Sequence, residues 1–569
     1  MKKELKVAVI FIALCDFVFA GKLFAAELDQ NPAAQAQHYQ YDVNKQKKEL
    51  ESKTRRPLEI NIEEEKAAPL PAGATFELKE VKISGATMFK AEDFRPAYEP
   101  YLGKQVAFSD LDAITKKIEA KYRAKGYFTT SVYIPEQDIK GGVIQISIAE
   151  GKMGKFNIEG NKWFSSSLIR RYLHVKENEL LNVNTLSRDI LRLNKNPDLE
   201  VKAVLAQGKE PQTSDITLKV ADKFPWHLGF LEDNRGSRLT GKYRSMASVR
   251  SSNVTGMADT LFLNTLYTGN SSAESVSYTL PLGTYGTKFG LDVTYFRMKL
   301  GKEFKPFDVT GTTQIYTPHF SWELALAEDF EASADLGLNL KQIKKEQDSD
   351  PTAKDQLRIP YFGFNFIKTD AGGQTSFSPK FNFGTAGFLG SFSRGHSLLS
   401  REGTGGFFFK YEQSLNRIQR MFWGSYLTVR TQLQLASRTL ASSEQFQLGG
   451  ADSVRGYPEG DYLADAGGCV NFDWFFPSYF IPADWKLVGQ DLPLRRQIEP
   501  VLFVDVGGGK LKRTLAGERD GKLLSGAGAG LRFNFKYFSL RLDWAKATGA
   551  KPASGSGPST FYFTFQSEV

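Results

Sequence analysis

From residue 224 to the C-terminus the chain alternates apolar and polar residues in short runs, and this constrains its fold more than any other feature. Within Gly424–Ser437, Leu427, Val429, Leu433 and Leu435 share one face, while Thr428, Arg430, Gln432 and Gln434 share the other. Leu531, Phe533 and Phe535 alternate with Arg532, Asn534 and Lys536, and Leu540, Leu542 and Trp544 with Arg541 and Asp543. Near the end, Phe561, Phe563 and Phe565 alternate with Tyr562, Thr564 and Gln566. A period of two puts successive side chains on opposite faces of a strand. One face here suits lipid, and the other holds charges that a packed core rejects. A soluble β-sandwich is the competing fold, but it needs no aromatic or leucine face this consistent, and the stretch is long for one sandwich. The pattern predicts an all-β transmembrane barrel with a wet lumen.

Such segments start near residues 226, 244, 260, 274, 288, 313, 331, 356, 373, 405, 423, 467, 498, 524, 538 and 560. That is about sixteen antiparallel strands, an even number as bacterial single-chain barrels require. Composition agrees: Phe (44), Tyr (22) and Gly (51) are abundant, while mean hydropathy is −0.33. A net charge of +9 spread over 569 residues, with no basic patch, argues against nucleic acid as a partner. No later segment reaches the run of about 20 apolar residues that a membrane helix needs.

The N-terminus reads as a secretory leader, residues 1–26. Lys2, Lys3 and Lys6 precede an apolar run from Val7 to Ala20, with small residues at Ala20, Gly21, Ala25 and Ala26. Cleavage after Ala20 or after Ala26 both fit. Acylation of Cys15 is a further reading, and the bulky Leu14 before it argues against it. With the leader removed only Cys469 remains, so no intrachain disulfide or multi-cysteine metal site can form.

Residues 27–75 are polar. Asn31-Pro32 is a plausible helix start, and Ala33–Arg56 then reads as a helix with no broad apolar face, followed by a linker marked by Pro57, Pro69 and Pro71. Such a helix is marginal alone in water, so it is either disordered or docked in a polar cavity. A globular pattern begins at Phe76. Strand Phe76–Ile83, a short helix near Lys90–Tyr98, a helix with a capping box at Ser109 and Asp112, and strands Phe128–Ile134 and Val143–Glu150 form one unit. Strand Lys155–Glu159, helices Ser165–Leu173 and Asn184–Asn194, and strands Leu199–Ala206 and Asp215–Val220 repeat the order.

One loop stands apart. Gly449–Gly468 holds six glycines and four carboxylates, at Asp452, Glu459, Asp461 and Asp465, around one basic residue, Arg455. Because the N-terminal units precede the barrel, the first strand runs outward, and parity puts this connection between segments eleven and twelve on the outer side. In Pro500–Gly507, Leu502, Val504 and Val506 form the apolar face, so Phe503 and Asp505 point into the lumen. A guanidinium can satisfy both oxygens of a carboxylate in a partly dry lumen, and Arg455 is the one that the loop offers. The alternative, an Asp505 wetted by lumen water, stays open on these grounds.

The leader, two βααββ units, sixteen segments and the run Val454, Arg455, Gly456, Tyr457 together resemble the TpsB transporters of two-partner secretion, of the haemolysin/haemagglutinin secretion-activation type. The resemblance implies two POTRA-like domains (76–151 and 152–223) in the periplasm and an outer-membrane barrel over 224–569. It implies a loop that folds back into the lumen, where its arginine meets the aspartate of an F-x-D-x-G motif, matched here by Phe503, Asp505 and Gly507. It implies a pore that translocates one large, unfolded exoprotein, with that exoprotein, outer-membrane lipid and the barrel-assembly machinery as partners and no cofactor. It also implies a plug helix, for which residues 33–56 are in place. The chain departs from the family in ending Phe565-Gln566-Ser567-Glu568-Val569, without a terminal aromatic. An assembly factor that inserts other barrels would share the loop motif and POTRA units, but members doing that job usually carry more POTRA units than the two read here.

Nothing suggests an enzyme. His38, His174, His227, His319 and His396 are scattered, and no serine lies in a G-x-S-x-G elbow. The Gly526–Gly530 run lacks a nucleotide-loop spacing and marks a strand against which something packs closely. Cys469 falls at inward parity and reads as a small residue in place.

Overall fold

The structure, a computed structural model, describes residues 32–53, 59–62, 75–139, 141–487, 489–490, 492–514, 520–552 and 557–569. The leader and Pro57, Pro69 and Pro71 lie outside them. Helix α1 (Pro32–Lys53) and a short strand β1 (Ile60–Ile62) come first.

The first α+β domain contains β2 (Thr75–Glu77), β3 (Glu80–Ser84), α2 (Arg95–Tyr98), β4 (Gln105–Ala107), α3 (Phe108–Ala124), β5 (Ser131–Tyr133) and β6 (Val143–Ala149). Its sheet runs β3-β6-β5, with β2 and β4 paired beside it. The single strand expected over Phe76–Ile83 is broken. Leu78 turns into the core, its N–H bonds Lys104 O, and the Lys79 N–H bonds Gly142 O. The capping box expected at Ser109 and Asp112 is also corrected. Helix α3 begins two residues earlier, with Ala107 as its N-cap, and Asp110 accepts the Ala107 N–H at 2.8 Å instead. Asp112 instead pairs with Lys116 one turn on. The strand expected over Phe128–Ile134 is shorter, because residues 126–130 form turns.

The second domain contains β7 (Lys152–Glu159), α4 (Ser166–Arg171), α5 (Val183–Leu193), β8 (Leu199–Gln207) and β9 (Thr213–Asp222). Ser165 and Asn182 cap the two helices through their side chains. Leu186, Ile190 and Leu193 of α5 pack on alternate residues of β8 and β9, the expected apolar faces. The sheet order is β1-β8-β9-β7, with β1 parallel to β8. The linker therefore contributes a strand that its polar sequence does not advertise.

Sixteen strands then close a barrel. They are β10 (Trp226–Asp233), β11 (Arg244–Ser251), β12 (Thr260–Tyr267), β13 (Ser271–Pro281), β14 (Lys288–Lys299), β15 (Thr310–Leu326), β16 (Phe330–Gln347), β17 (Asp350–Asp370), β18 (Gly373–Gly384), β19 (Phe408–Arg420) and β20 (Tyr426–Ala436). A small hairpin, β21 (Phe446–Leu448) and β22 (Tyr462–Ala464), interrupts the order. The barrel resumes with β23 (Ala466–Phe475), β24 (Ile498–Lys510), β25 (Gly521–Asn534), β26 (Phe538–Ala547) and β27 (Ser559–Glu568). Each strand pairs antiparallel with the next, and β10 closes on β27. Closure removes the free edges that a bilayer does not tolerate. No helix among the described residues is long and apolar enough to cross a membrane.

The second domain docks on the near rim of the barrel through charged pairs. Arg192 and Lys195 reach Glu323 at 2.9 and 3.1 Å, and Asp198 meets His227 at 2.8 Å and Arg250 at 3.2 Å.

Candidate functional site

The facing read from alternation holds on β24. Leu502, Val504 and Val506 are exposed on the outer wall, while Phe503 and Asp505 are buried inside. The connection from β20 to β23 leaves the far end of the barrel and turns back into the lumen, so that Gly449–Gly468 lies against β23–β27.

Arg455 is 0% exposed, the largest fully buried side chain among the described residues. Its Nε donates to Asp505 Oδ2 at 2.7 Å and its Nη2 to Asp505 Oδ1 at 2.7 Å, a two-point grip on the carboxylate. The Arg455 backbone N–H adds a third bond to Oδ2 at 3.0 Å. The guanidinium also lies 2.6 Å from Asp473 Oδ1, 4.0 Å from Asp543 Oδ2, and 3.5 Å over the Phe503 ring. Asn471 donates to Asp505 Oδ1 at 2.7 Å and also bonds the Ser453 carbonyl, tying wall to loop.

The carboxylates are held in turn. Arg430 of β20 pairs with Asp473 at 2.8 Å, and Arg532 and Arg541 pair with Asp543 at 2.7 and 2.6 Å. Charges thus alternate across β20, β23, β24, β25 and β26, with Arg455 inserted from the loop. Inside a low-dielectric wall each charge depends on its neighbours, and one removed partner strands the rest.

The other motif residues make the close approach possible. Gly456 has φ +93°, and a Cβ there would lie 2.5 Å from the Ala547 nitrogen. Gly507 faces Leu448, Val454 and Cys469, and a Cβ would come within 2.9 Å of all three. Val454 and Tyr457 are buried with Phe446, Leu448, Cys469 and Leu524. The Tyr562 hydroxyl donates to the Tyr457 carbonyl at 2.6 Å and accepts the Gly456 N–H at 3.2 Å. The Gly526–Gly530 run of β25 meets the loop as expected, for a Cβ on Gly526 would strike the Arg455 carbonyl.

Helix α1 occupies the opposite side of the lumen. Ala36, Tyr39 and Val43 form a narrow stripe packed on Leu239, Met246, Phe262, Leu266, Phe296 and Met298. The helix therefore does have an apolar contact face, one too thin to stand out among polar residues. Tyr39 donates to Asn264 Oδ1 at 3.0 Å, and Lys47 bonds Asp292 at 2.7 Å and Ser277 at 2.6 Å.

Helix and loop meet in a second ionic knot beside β10. Arg235 reaches Asp452 at 2.5 Å, Glu459 at 3.2 Å and Asp42 at 3.4 Å, so one guanidinium joins loop and helix. Lys45 pairs with Asp452 at 2.6 Å, and Arg244 with Asp42 at 2.9 Å and Asp233 at 2.6 Å. Sequence reasoning identified Arg455 and Asp505 and missed this knot entirely. Lumen-facing parity already marked Arg430, Arg532, Arg541 and Asp543, but not whom they meet. No cluster of potential metal ligands occurs among the described residues.

Residues 212–533 match the model of the family described as haemolysin secretion/activation protein ShlB/FhaC/HecB, and residues 76–151 match the ShlB-type POTRA domain. The chain is 25% identical over 448 residues to the heme/hemopexin transporter protein HuxB of Haemophilus influenzae (strain 86-028NP), covering 76% of each chain. It is 22% identical over 450 residues to the outer membrane transporter CdiB of Dickeya dadantii (strain 3937), covering 78% of this chain and 79% of that one. Its fold superimposes on CdiB from Escherichia coli with a TM-score of 0.76 at 20% identity, over 96% of this chain and 100% of that one.

Proposed function

The chain belongs to the haemolysin secretion/activation (ShlB/FhaC/HecB) family of outer-membrane transporters, and on that premise we propose that it exports one large exoprotein, unfolded, by two-partner secretion. The observation that carries this reading is a lumen filled by two elements on opposite walls, α1 and the 449–468 loop, joined by Arg235 and by the Lys45–Asp452 pair. A passive porin needs neither. The periplasmic POTRA domains capture the extended exoprotein by strand addition at a sheet edge. Helix α1, the plug, then leaves the lumen. Arg455 keeps the loop fixed to the β24 wall, so that the barrel holds its shape while the chain passes. Folding of the exoprotein outside biases the movement outward.

The test compares the culture medium of cells with and without this protein. Loss of one large secreted protein, with other outer-membrane barrels at normal levels, supports export. A general loss of outer-membrane barrels instead would replace this reading with the assembly-factor one.

A further inference from the structure

We propose that the connection between β23 and β24, residues 476–497, is a membrane-surface anchor that binds anionic phospholipid headgroups of the periplasmic leaflet. The other connections on the POTRA side are short. The next longest spans 252–259, and that between β17 and β18 spans only 371–372. This one instead carries Tyr479, Phe480, Trp485, Leu487 and Leu492 exposed, with Phe480 76% and Trp485 60% accessible. A rim connection that only needed to turn the chain would not display large apolar side chains in water.

The occupant is set by continuity with the lipid-facing wall. On β23, Asn471 and Asp473 are buried in the lumen, so Phe472 and Trp474 face outward, and Phe472 is exposed. The Trp474 and Phe476 rings lie 4.8 Å apart, tilted by 37°, and Phe422 meets Trp474 edge-on at 5.8 Å and Trp423 at 4.7 Å. The Tyr479 hydroxyl donates to the Trp423 carbonyl. The aromatic surface of the outer wall thus runs without a break into the connection, at the level where aromatic side chains suit the membrane–water boundary.

The connection is also built to hold its form. Leu494 N–H bonds Trp485 O at 2.7 Å, Ser478 N–H bonds Arg495 O at 3.2 Å, and the Ser478 hydroxyl donates to Ile498 O at 2.6 Å. Gln490 Oε1 accepts from Gln497 at 2.8 Å and from the Lys536 N–H at 3.0 Å, pinning it to the neighbouring β25–β26 turn. Arg495 lies 4.7 Å over the Tyr479 ring, beside exposed Arg496. Among the described residues, neither arginine has a carboxylate partner. Aromatic side chains for the acyl boundary and guanidinium groups for phosphate are the two halves of an interfacial lipid site.

The test uses the full chain in nanodiscs of phosphatidylcholine with increasing brominated phosphatidylglycerol. The Trp485 fluorescence is taken as the difference between wild type and Trp485→Phe. Trp485 should be quenched, and Arg495→Gln and Arg496→Gln should each raise the brominated phosphatidylglycerol needed for half-quenching about fivefold. Heat-modifiable gel migration checks that each variant barrel is folded. An unquenched Trp485 overturns the proposal, as does quenching indifferent to both arginines. Trp485 buried only when the exoprotein is added would make that protein the occupant and also overturn it. None of these readouts depends on secretion, so the export reading stands or falls separately.

Discussion

On the wall that meets α1, the inward side chains include Met246, Phe262, Leu266, Phe296 and Met298; on the wall that meets the loop, they include Arg430, Asp473, Asp505, Arg532 and Asp543. The first contact is a thin apolar stripe with ion pairs at its edges. Those edges are partly open, with Lys45 and Lys47 each about a quarter exposed. Water can replace those two lysine contacts at modest cost, whereas Asp42 is buried between Arg235 and Arg244. The second contact is a closed set of charges in which Arg455 and Asp505 are both fully buried. Removing the loop would leave that set uncompensated, a loss of about 3–5 kcal/mol for a broken buried pair. The lumen therefore holds α1 by an apolar stripe and one buried carboxylate, Asp42, and holds the loop by a closed set of charges.

Asp505→Ala tests the fixed side hardest. It strands Arg455 among the remaining charges, and secretion should fall to background, with a destabilised barrel seen in heat-modifiable migration. Arg455→Ala should be similarly poor, and the double variant no worse than the poorer single. Fully additive losses would mean that the two residues do not act as a unit, and the comparison between the walls would collapse.

Deleting residues 32–53 tests the α1 side. Channel conductance in planar bilayers should rise severalfold, while hydrogen exchange across 449–468 remains slow because Arg455 is undisturbed. An unchanged conductance would show that α1 does not obstruct the pore. A loop that becomes exchangeable on deletion would show that the two elements are one unit.

Arg235→Gln sharpens the boundary between them. The side chain is the shared partner of Asp42, Asp452 and Glu459, and charge-assisted hydrogen bonds of this kind contribute about 1.5–3 kcal/mol. Brief open events should become more frequent in single-channel records, with secretion retained. Silence in those records would remove Arg235 as the link.

The same contrast explains what the sequence disclosed. The fixed wall is built on strict alternation, so Phe503, Asp505 and Cys469 were legible as inward residues, and the paired glycines of the loop and β25 hinted at close packing. Parity gives a face but not a height along the barrel axis, which is why Asp473 and Asp543 could not be named as further neighbours of Arg455. On the α1 side the inward residues are themselves apolar, which blurs alternation. Misses of three residues or more occur on both sides, near 405, 423 and 524 for Phe408, Tyr426 and Gly521, and near 274, 313 and 356 for Ser271, Thr310 and Asp350. The last two begin long strands whose outer ends are polar on both faces, as in Lys341, Lys344, Lys345 and Glu346 of β16. Contacts between an isolated helix and an irregular loop have no period at all, so Arg235, Lys45 and Asp452 left no trace beyond their charges.

The smallest effect on either wall should come from Glu150, far from both, at the end of the first POTRA domain. Burial pushes its carboxyl up, but bonds from the Thr87 hydroxyl and N–H, the Met88 N–H and the Tyr122 hydroxyl outweigh this and hold it below the ordinary carboxylate range. A depressed folded-state value means that the stabilisation is present above the unfolded value of about 4.3 and is lost as pH falls through the folded one. Glu150→Gln should therefore speed hydrogen exchange in α3 and β6 about tenfold at neutral pH, since charged hydrogen bonds contribute about 1.5 kcal/mol or more. The gap between the two proteins should narrow as the medium is acidified below that range. Conductance should stay at the wild-type level throughout. A conductance change would mean that the POTRA domain reaches α1 even without an exoprotein, and that α1 is held by more than its wall and the loop.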